Sequence, residues 1–395
     1  MKNRLLFYEI KKQILHKNAL VITGMRQVGK TTLMRQLYDE LTEIPKLWFD
    51  LDNPLDQKIF ESVDYNGIYA RLITLAGNKE KRLMVCIDEI QNLPDITRVI
   101  KFLIDHYGIK FIVTGSSSFY LKHLFPESLA GRKFLYELQP MRFLEFLYFK
   151  DYLSLEKAQI LKLTQNIQTG SEIEHYRREA FYEEYLGFGG FPEVVVTPDI
   201  KTKQLVLKNI FASFFEKDLQ MLSDYKDIRQ LRDFILLLVP RVGSMLDVSK
   251  LAGELAVERA KIYGYLEFLQ GTFFIRLVPK FSQSIDRAVA GGKKIYFNDT
   301  GILNSVGSVN RGQLLENAVA NQLSAYGPCS FYNKRNTAEI DGIVDKKIAI
   351  EIKLAGTSAD YRKLTKLAQT LGLKQAWVVS LKYRSDPHMI SPVFL

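Results

Sequence analysis

The nine residues Gly24-Met25-Arg26-Gln27-Val28-Gly29-Lys30-Thr31-Thr32 constrain this chain more than any other stretch. They satisfy the spacing G-x-x-x-x-G-K-[ST] at every fixed position. The apolar run Ala19–Thr23 before them predicts a buried strand, and Leu33–Leu41 after them predicts a helix. A loop held between two such elements can curl so that its backbone N–H groups point inward at an anion, with glycine supplying the freedom to do so. The positive end of the following helix adds to the attraction. In that geometry Lys30 neutralises the terminal phosphates of a nucleotide, and the Thr31 hydroxyl holds Mg²⁺. ATP with Mg²⁺, and ADP after turnover, are the ligands this predicts.

A second apolar run, Leu83–Ile87, ends in the acids Asp88 and Glu89. An unbroken apolar run reads as a strand covered on both faces, and ligands gather at the carboxyl ends of such strands. Asp88 is then expected to complete the Mg²⁺ shell beside Thr31, and Glu89 to orient or polarise the attacking water. Leu47–Leu51 and Phe111–Gly115 read as further strands, the latter after a helical stretch at Asp95–Tyr107. A polar residue at the end of the last strand is placed to touch the gamma phosphate. Thr114 is the favoured candidate, with Ser116 behind it, and a cap on the next helix is the plain alternative.

This arrangement resembles the AAA+-like branch of the P-loop ATPases, in which one further strand lies between the phosphate-loop strand and the partner of the acidic strand. Ser128-Leu129-Ala130-Gly131-Arg132, the strand Phe134–Leu138, Gln139–Phe146 and Gly189-Gly190-Phe191-Pro192-Glu193 are similar to one bacterial and archaeal family that joins an AAA-type ATPase to an uncharacterised C-terminal region. The resemblance makes Arg132 a candidate arginine finger, acting in its own subunit or across a boundary to another, so that an oligomer is possible. It also marks Arg26 as a basic residue inside the loop. A lone arginine after glycine is otherwise a common surface ion-pair residue.

At 395 residues the chain is long enough for two or three domains. Its formal net charge of +10 favours a polyanionic partner, DNA foremost, although a basic excess also serves solubility. Two cysteines, Cys86 and Cys329, cannot build a disulfide framework, and five scattered histidines lack zinc spacing. Phe234–Val239 is the longest apolar segment that needs weighing, and it is far too short to span a bilayer. The charged N-terminus lacks the pattern of a signal peptide, so the expectation is a cytoplasmic protein with no membrane contact.

Arg142 to about Lys226 reads as helical, interrupted at Gly187–Pro192, and is expected to be a lid whose position follows the nucleotide state. ATP is then expected between core and lid. Phe211, Phe214 and Phe215 in this region read as core residues rather than as a base-stacking platform. Asp247–Gly253, a turn at Glu254–Val257 and a helix Glu258–Leu269 precede a strand Phe273–Leu277 and a hairpin reaching Phe297. Helix–turn–helix–wing is the natural reading. It offers Arg259, Lys261 and Tyr263 to a major groove, and Lys280, Arg287, Lys293 and Lys294 to phosphates. Such modules also serve as rigid protein-binding units.

Thr337–Val344 and Lys347–Lys353 alternate as two strands. Glu351 and Lys353 share one face of the second, and Ile348, Ile350 and Ile352 share the other. A three-residue turn, or a bulge with Gly342 as its site, would set Asp341 across from Glu351. The spacing resembles the D-x(n)-E-x-K pattern of restriction-endonuclease-like folds. That resemblance implies a Mg²⁺ or Mn²⁺ held by Asp341 and Glu351, a positioning role for Lys353 and a supporting acid at Glu316 on a helix Arg311–Tyr326. A salt-bridged surface is the plain alternative, and fold likeness is not activity.

The expected architecture is α/β: a P-loop, AAA+-like parallel core at 1–141, a helical lid at 142–226, a winged helix at 227–300 and a nuclease-like domain at 301–395. Three outputs follow. The chain is a nucleotide-controlled switch acting on DNA, an ATP-regulated metal-dependent endonuclease, or a switch that binds a protein through its C-terminal half.

Overall fold

The computed structural model describes residues 2–42, 44–77, 83–115, 129, 131–159, 170–218, 225–282, 284, 291–334 and 337–395. The chain divides into two units, one of residues 1–139 with 271–273 and one of residues 140–270 with 274–395.

The first unit is built on a five-stranded sheet of β1 (Ala19–Thr23), β2 (Lys46–Asp50), β3 (Met84–Asp88), β4 (Lys110–Gly115) and β5 (Lys133–Glu137). The order is β2-β3-β4-β1-β5, with every pair parallel. The strand β4 thus lies between the phosphate-loop strand and the acidic strand itself. Every residue of β1 and β3 is buried, the pattern of strands with helices on both faces. The edge strands β2 and β5 are only partly buried and carry lysines and acids. One face packs Val21, Val85, Ile87, Phe111 and Val113 against Ile68, Leu72, Val99, Ile100 and Leu103, from the helices Tyr65–Leu75 and Ile96–Tyr107. The topology brings Gly24, Asp88, Glu89 and Thr114 to one edge, the carboxyl ends of three adjacent strands.

In the second unit the helices Phe143–Phe149, Glu172–Phe188 and Pro192–Val196 come first, followed by Ile200–Ser213. Three more helices, Tyr225–Leu238, Val248–Leu255 and Arg259–Gly271, lead into an antiparallel hairpin of β6 (Ile275–Pro279) and β7 (Lys293–Phe297). The segment between the first two of these helices also bridges to β7, through Val242 and Met245. After the helices Thr300–Val306 and Arg311–Leu323 comes a second sheet. Its strands are β8 (Cys329–Lys334), β9 (Ala338–Val344), β10 (Ile348–Lys353), β11 (Gln375–Ser380) and β12 (Met389–Ile390), in order β12-β11-β10-β9-β8. The strands β8, β9 and β10 are antiparallel neighbours, and β11 runs parallel to β10 after the helix Ser358–Thr370.

One apolar cluster joins Phe143, Phe146, Tyr182 and Tyr185 to Leu315, Val319, Val344, Ile350 and Val379. The segment read as a lid therefore shares its core with the C-terminal sheet, and any displacement of these helices carries that sheet along. The motif Gly189–Glu193 is a clasp in the same unit. The Gly190 N–H donates to Asp299 Oδ2 at 2.7 Å, and its carbonyl accepts from the Met141 N–H at 2.7 Å. A Cβ on Gly190 would stand 2.0 Å from the Met141 carbonyl oxygen, so a side chain does not fit there. Asp299 Oδ1 accepts from the Ile302 N–H and caps the Thr300–Val306 helix. Burial pushes this carboxyl up to about 6, against the three backbone N–H groups that favour its charge.

Candidate nucleotide site and C-terminal acid cluster

The loop Gly24–Gly29 leaves β1 and enters the helix Lys30–Glu40 through Gly29, which caps it in a left-handed conformation. Gly24 has φ +149°, and a Cβ there would lie 2.1 Å from the Leu138 carbonyl oxygen. The tight turn therefore requires glycine at that position. Lys30 is buried and donates to the carbonyls of Gly24 and Met25, each at 3.0 Å. Its ammonium thus lies inside the ring of backbone where phosphate oxygens are expected. Met25 and Val28 are buried, Arg26 half-buried and Gln27 exposed.

Asp88 is buried at the end of β3. It accepts hydrogen bonds from the Thr114 and Thr31 hydroxyls. Burial holds its carboxyl above the usual carboxylate range; those two hydroxyls work against the rise, while Glu89 and Asp50 add to it. Both features suit a divalent cation, which takes hard oxygen donors and relieves such a rise. Thr31 and Asp88 are the pair that fits it. Glu89 follows in a left-handed conformation, φ +53°, and its N–H donates to Thr114 Oγ1 at 3.3 Å. Its carboxylate accepts from Gln91. A non-glycine residue at positive φ costs about 1–2 kcal/mol, a cost often found where a side chain must be aimed.

Two expectations change. Thr114 is fully buried and its hydroxyl serves Asp88 and the Glu89 N–H, so it positions the acidic pair rather than standing free for a gamma phosphate. Arg132 immediately precedes β5, whose Lys133 pairs with Ala19 at the start of β1, and the Ala19 N–H donates to the Arg132 carbonyl. The phosphate loop begins beyond Thr23, four residues or about 13 Å further along the strand. Arg132 lies at the wrong end of the sheet for its own loop, where it pairs with Asp105 at 2.5 Å. The reading within one subunit is withdrawn. Ser116 and Ser128 lie outside the described residues.

One participant escaped the sequence reading. Arg4 is buried and donates to the carbonyls of Val28, at 2.6 Å, and Gln139, at 2.7 Å. It ties the phosphate loop to the chain beyond β5. A single arginine far from the motif carries no signal of that role.

In the C-terminal sheet, β9 and β10 pair Ile348 with Val344 and Ile350 with Gly342, so the next position sets Asp341 beside Glu351, as expected. Asp345–Lys347 form the three-residue turn. A register shift against β8 sets Asp341 and Gly342 together opposite Phe331, between the Ser330–Ile343 and Tyr332–Ile340 pairs. This irregularity belongs to the β8–β9 pairing; the β9–β10 pairing is regular and takes the three-residue turn of the two expected alternatives.

The chemistry around it differs from the expectation. Lys294, on β7, is buried, and its Nζ lies 2.8 Å from Glu339, 3.2 Å from Glu316 and 3.7 Å from Asp341. The Tyr296 hydroxyl donates to Glu316 at 2.8 Å, and Asp341 Oδ2 accepts from the Ile352 N–H at 2.9 Å. Glu351 is not among the partners of Lys294 and pairs with Lys353 at 2.7 Å. Burial raises the Glu351 carboxyl to about 7, with Asp341 adding to the rise. Glu316, Glu339 and Asp341 thus gather around the Lys294 ammonium, and Glu351 pairs with Lys353 instead. Among the described residues no three acidic, histidine or cysteine side chains form a metal's ligand set. Lys294 is also withdrawn as a phosphate contact. Lys261 is bound to Asp227 at 2.5 Å, Arg259, Tyr263 and Lys293 are exposed, and Arg287 lies outside the described residues. The strand period gave no warning: Ile295 and Phe297 mark the apolar face of β7, yet Lys294 and Tyr296 on the other face are buried as well.

Residues 16–147 match the family described as AAA domain. The first unit has an AAA-type ATPase fold. Residues 179–313 and 311–391 match two domains of unknown function, DUF8612 and DUF4143. The chain is similar to an uncharacterized protein of Methanocaldococcus jannaschii, with 25% identity over 87% of this chain and 76% of that one. It is also similar to an uncharacterized protein of Haemophilus influenzae, with 26% identity over 82% and 79%. Among solved structures, a Walker-type ATPase of Pyrococcus abyssi aligns with TM-score 0.47 and 16% identity, over 76% of this chain and 94% of that one. The ORC1 protein of Aeropyrum pernix, solved in complex with DNA, aligns with TM-score 0.30 and 11% identity, over 76% and 90%. Among the described residues no helix is long and apolar enough to cross a membrane.

Proposed function

We propose that this AAA-type protein hydrolyses ATP with Mg²⁺ and works as a nucleotide-controlled switch whose second unit engages DNA. The observation that carries the reading is Asp88, held between the Thr31 and Thr114 hydroxyls beside a phosphate loop that already encloses its lysine. On binding, Lys30 exchanges two carbonyl oxygens for phosphate oxygens. Thr31 and Asp88 would hold the cation, which would supply charge stabilisation to the phosphates. Glu89, aimed by its backbone and by Gln91, orients the water.

The output rests on the second unit. The helices read as a lid share a core with the C-terminal sheet, so a nucleotide-driven shift is delivered to that whole unit. Three helices, a hairpin and a net charge of +10 support DNA as the partner, with Arg259 and Lys293 left exposed for phosphates. The exposed Tyr263 and the engaged Lys261 and Lys294 favour the second reading, a protein partner.

Lys30→Ala is expected to abolish ATP turnover, and a variant that hydrolyses at the wild-type rate overturns the ATPase assignment. Fluorescence anisotropy with a labelled duplex tests the output. Binding that weakens as salt rises from about 50 to about 200 mM, and that differs between ATP and ADP, is expected. No binding at the lower salt refutes DNA and leaves the protein partner.

A further inference from the structure

The acid cluster of the C-terminal sheet is bound by groups of the chain itself. Glu316 Oε1 receives the Lys294 ammonium and the Tyr296 hydroxyl. Its other oxygen, Oε2, faces Gly243, where even a Cβ would approach to 2.7 Å. One oxygen of Asp341 accepts from the backbone of β10, and the other faces the ammonium at 3.7 Å. Glu339 completes the set at 2.8 Å, and the Phe331 ring, centred 5.5 Å from the same nitrogen, lies beside it. A divalent ion needs six or more oxygen donors at about 2.0–2.6 Å. It would have to displace a buried lysine whose ammonium already pairs with these acids. The donor set of the nuclease resemblance therefore does not fit a metal in this chain.

We infer that the ammonium of Lys294 stands in the place of the divalent ion, so that the C-terminal sheet keeps the nuclease-like layout without the metal or the cleavage. The lysine comes from the hairpin strand β7, and its acids come from β9 and the Arg311–Leu323 helix. The ion cluster thus fastens the helix–hairpin module to the C-terminal sheet. A buried charge of this kind fixes register and orientation, because removing either side leaves an uncompensated charge.

The test uses the full chain in an Asp88→Asn background without nucleotide, so that the phosphate-loop site does not contribute and the ATPase reading is not at stake. Mn²⁺ binding is followed by electron paramagnetic resonance. The expected result is no bound Mn²⁺ at submillimolar concentration when Lys294 is present, and one bound ion per chain in Lys294→Gln, lost again in Lys294→Gln/Glu316→Gln. One ion bound with Lys294 present, and lost on Glu316→Gln, overturns the inference. So does a folded Lys294→Gln that binds none. Should Lys294→Gln fail to fold, the Lys294-containing protein decides: absence of Mn²⁺, together with plasmid left intact under Mg²⁺ or Mn²⁺, upholds the inference, and nicking abolished by Glu351→Ala overturns it.

Discussion

The two sheets of this molecule present similar ingredients at their strand ends and arrange them in opposite ways. In the first unit a buried lysine, Lys30, bonds to backbone carbonyls, and the neighbouring carboxylate, Asp88, bonds to hydroxyls. These described partners are neutral oxygens, which an anion and a cation can replace. In the second unit a buried lysine, Lys294, bonds to the carboxylates themselves. Both signs of charge are consumed within the protein. What a lysine is bonded to, rather than its presence near acids, separates a site from a strut.

The largest effect that would sharpen this contrast comes from Glu89. Glu89→Gln should lower kcat for ATP by about 10²–10⁴-fold, the usual worth of a positioned base, while leaving ATP affinity measured by calorimetry unchanged. An equal loss in affinity would mean that Glu89 binds rather than activates. A smaller effect is expected in the strut. Glu316→Gln should lower the unfolding free energy by about 1–3 kcal/mol, because a buried ammonium loses a charged partner. Glu351→Gln, which lies outside the lysine's shell, should cost less than about 1 kcal/mol. Chemical denaturation of both variants reads the difference, and equal losses would erase the distinction between the two acids. The smallest effect belongs to Arg132. Its half-exposed pair with Asp105 is worth at most about 1 kcal/mol, and Arg132→Ala should leave turnover in dilute solution within twofold of wild type. A large loss that appears only at high protein concentration would instead assign it to a neighbouring subunit.

The parallel core was legible because its signals are local. Continuous apolar runs become strands buried on both faces, and the glycine–lysine spacing dictates the loop between β1 and the next helix. The C-terminal hairpin was legible too, down to the three-residue turn that sets Asp341 beside Glu351, because the side-chain period ties register to burial. The partners of those side chains were not. Lys294 and Glu316 are 22 residues apart and meet only through the packing of β7 on a later helix. Arg4 reaches a carbonyl 135 residues away. Thr114 was assigned to phosphate because strand ends predict where a hydroxyl sits, not which neighbour it serves. The motif at Gly189–Glu193 likewise announced itself in the sequence, while its role as a clasp on Asp299 required the fold.

The shared core of the Phe143–Phe149 and Glu172–Phe188 helices with the C-terminal sheet bears on how such a chain can be cut or inherited. Phe143, Phe146, Tyr182 and Tyr185 pack in the same cluster as Leu315, Val344 and Ile350. A gene ending before β8 would encode helices with a wet aromatic flank and nothing to shield it, a recipe for aggregation. A truncation that removes the C-terminal sheet is therefore expected to cost the solubility of these helices as well.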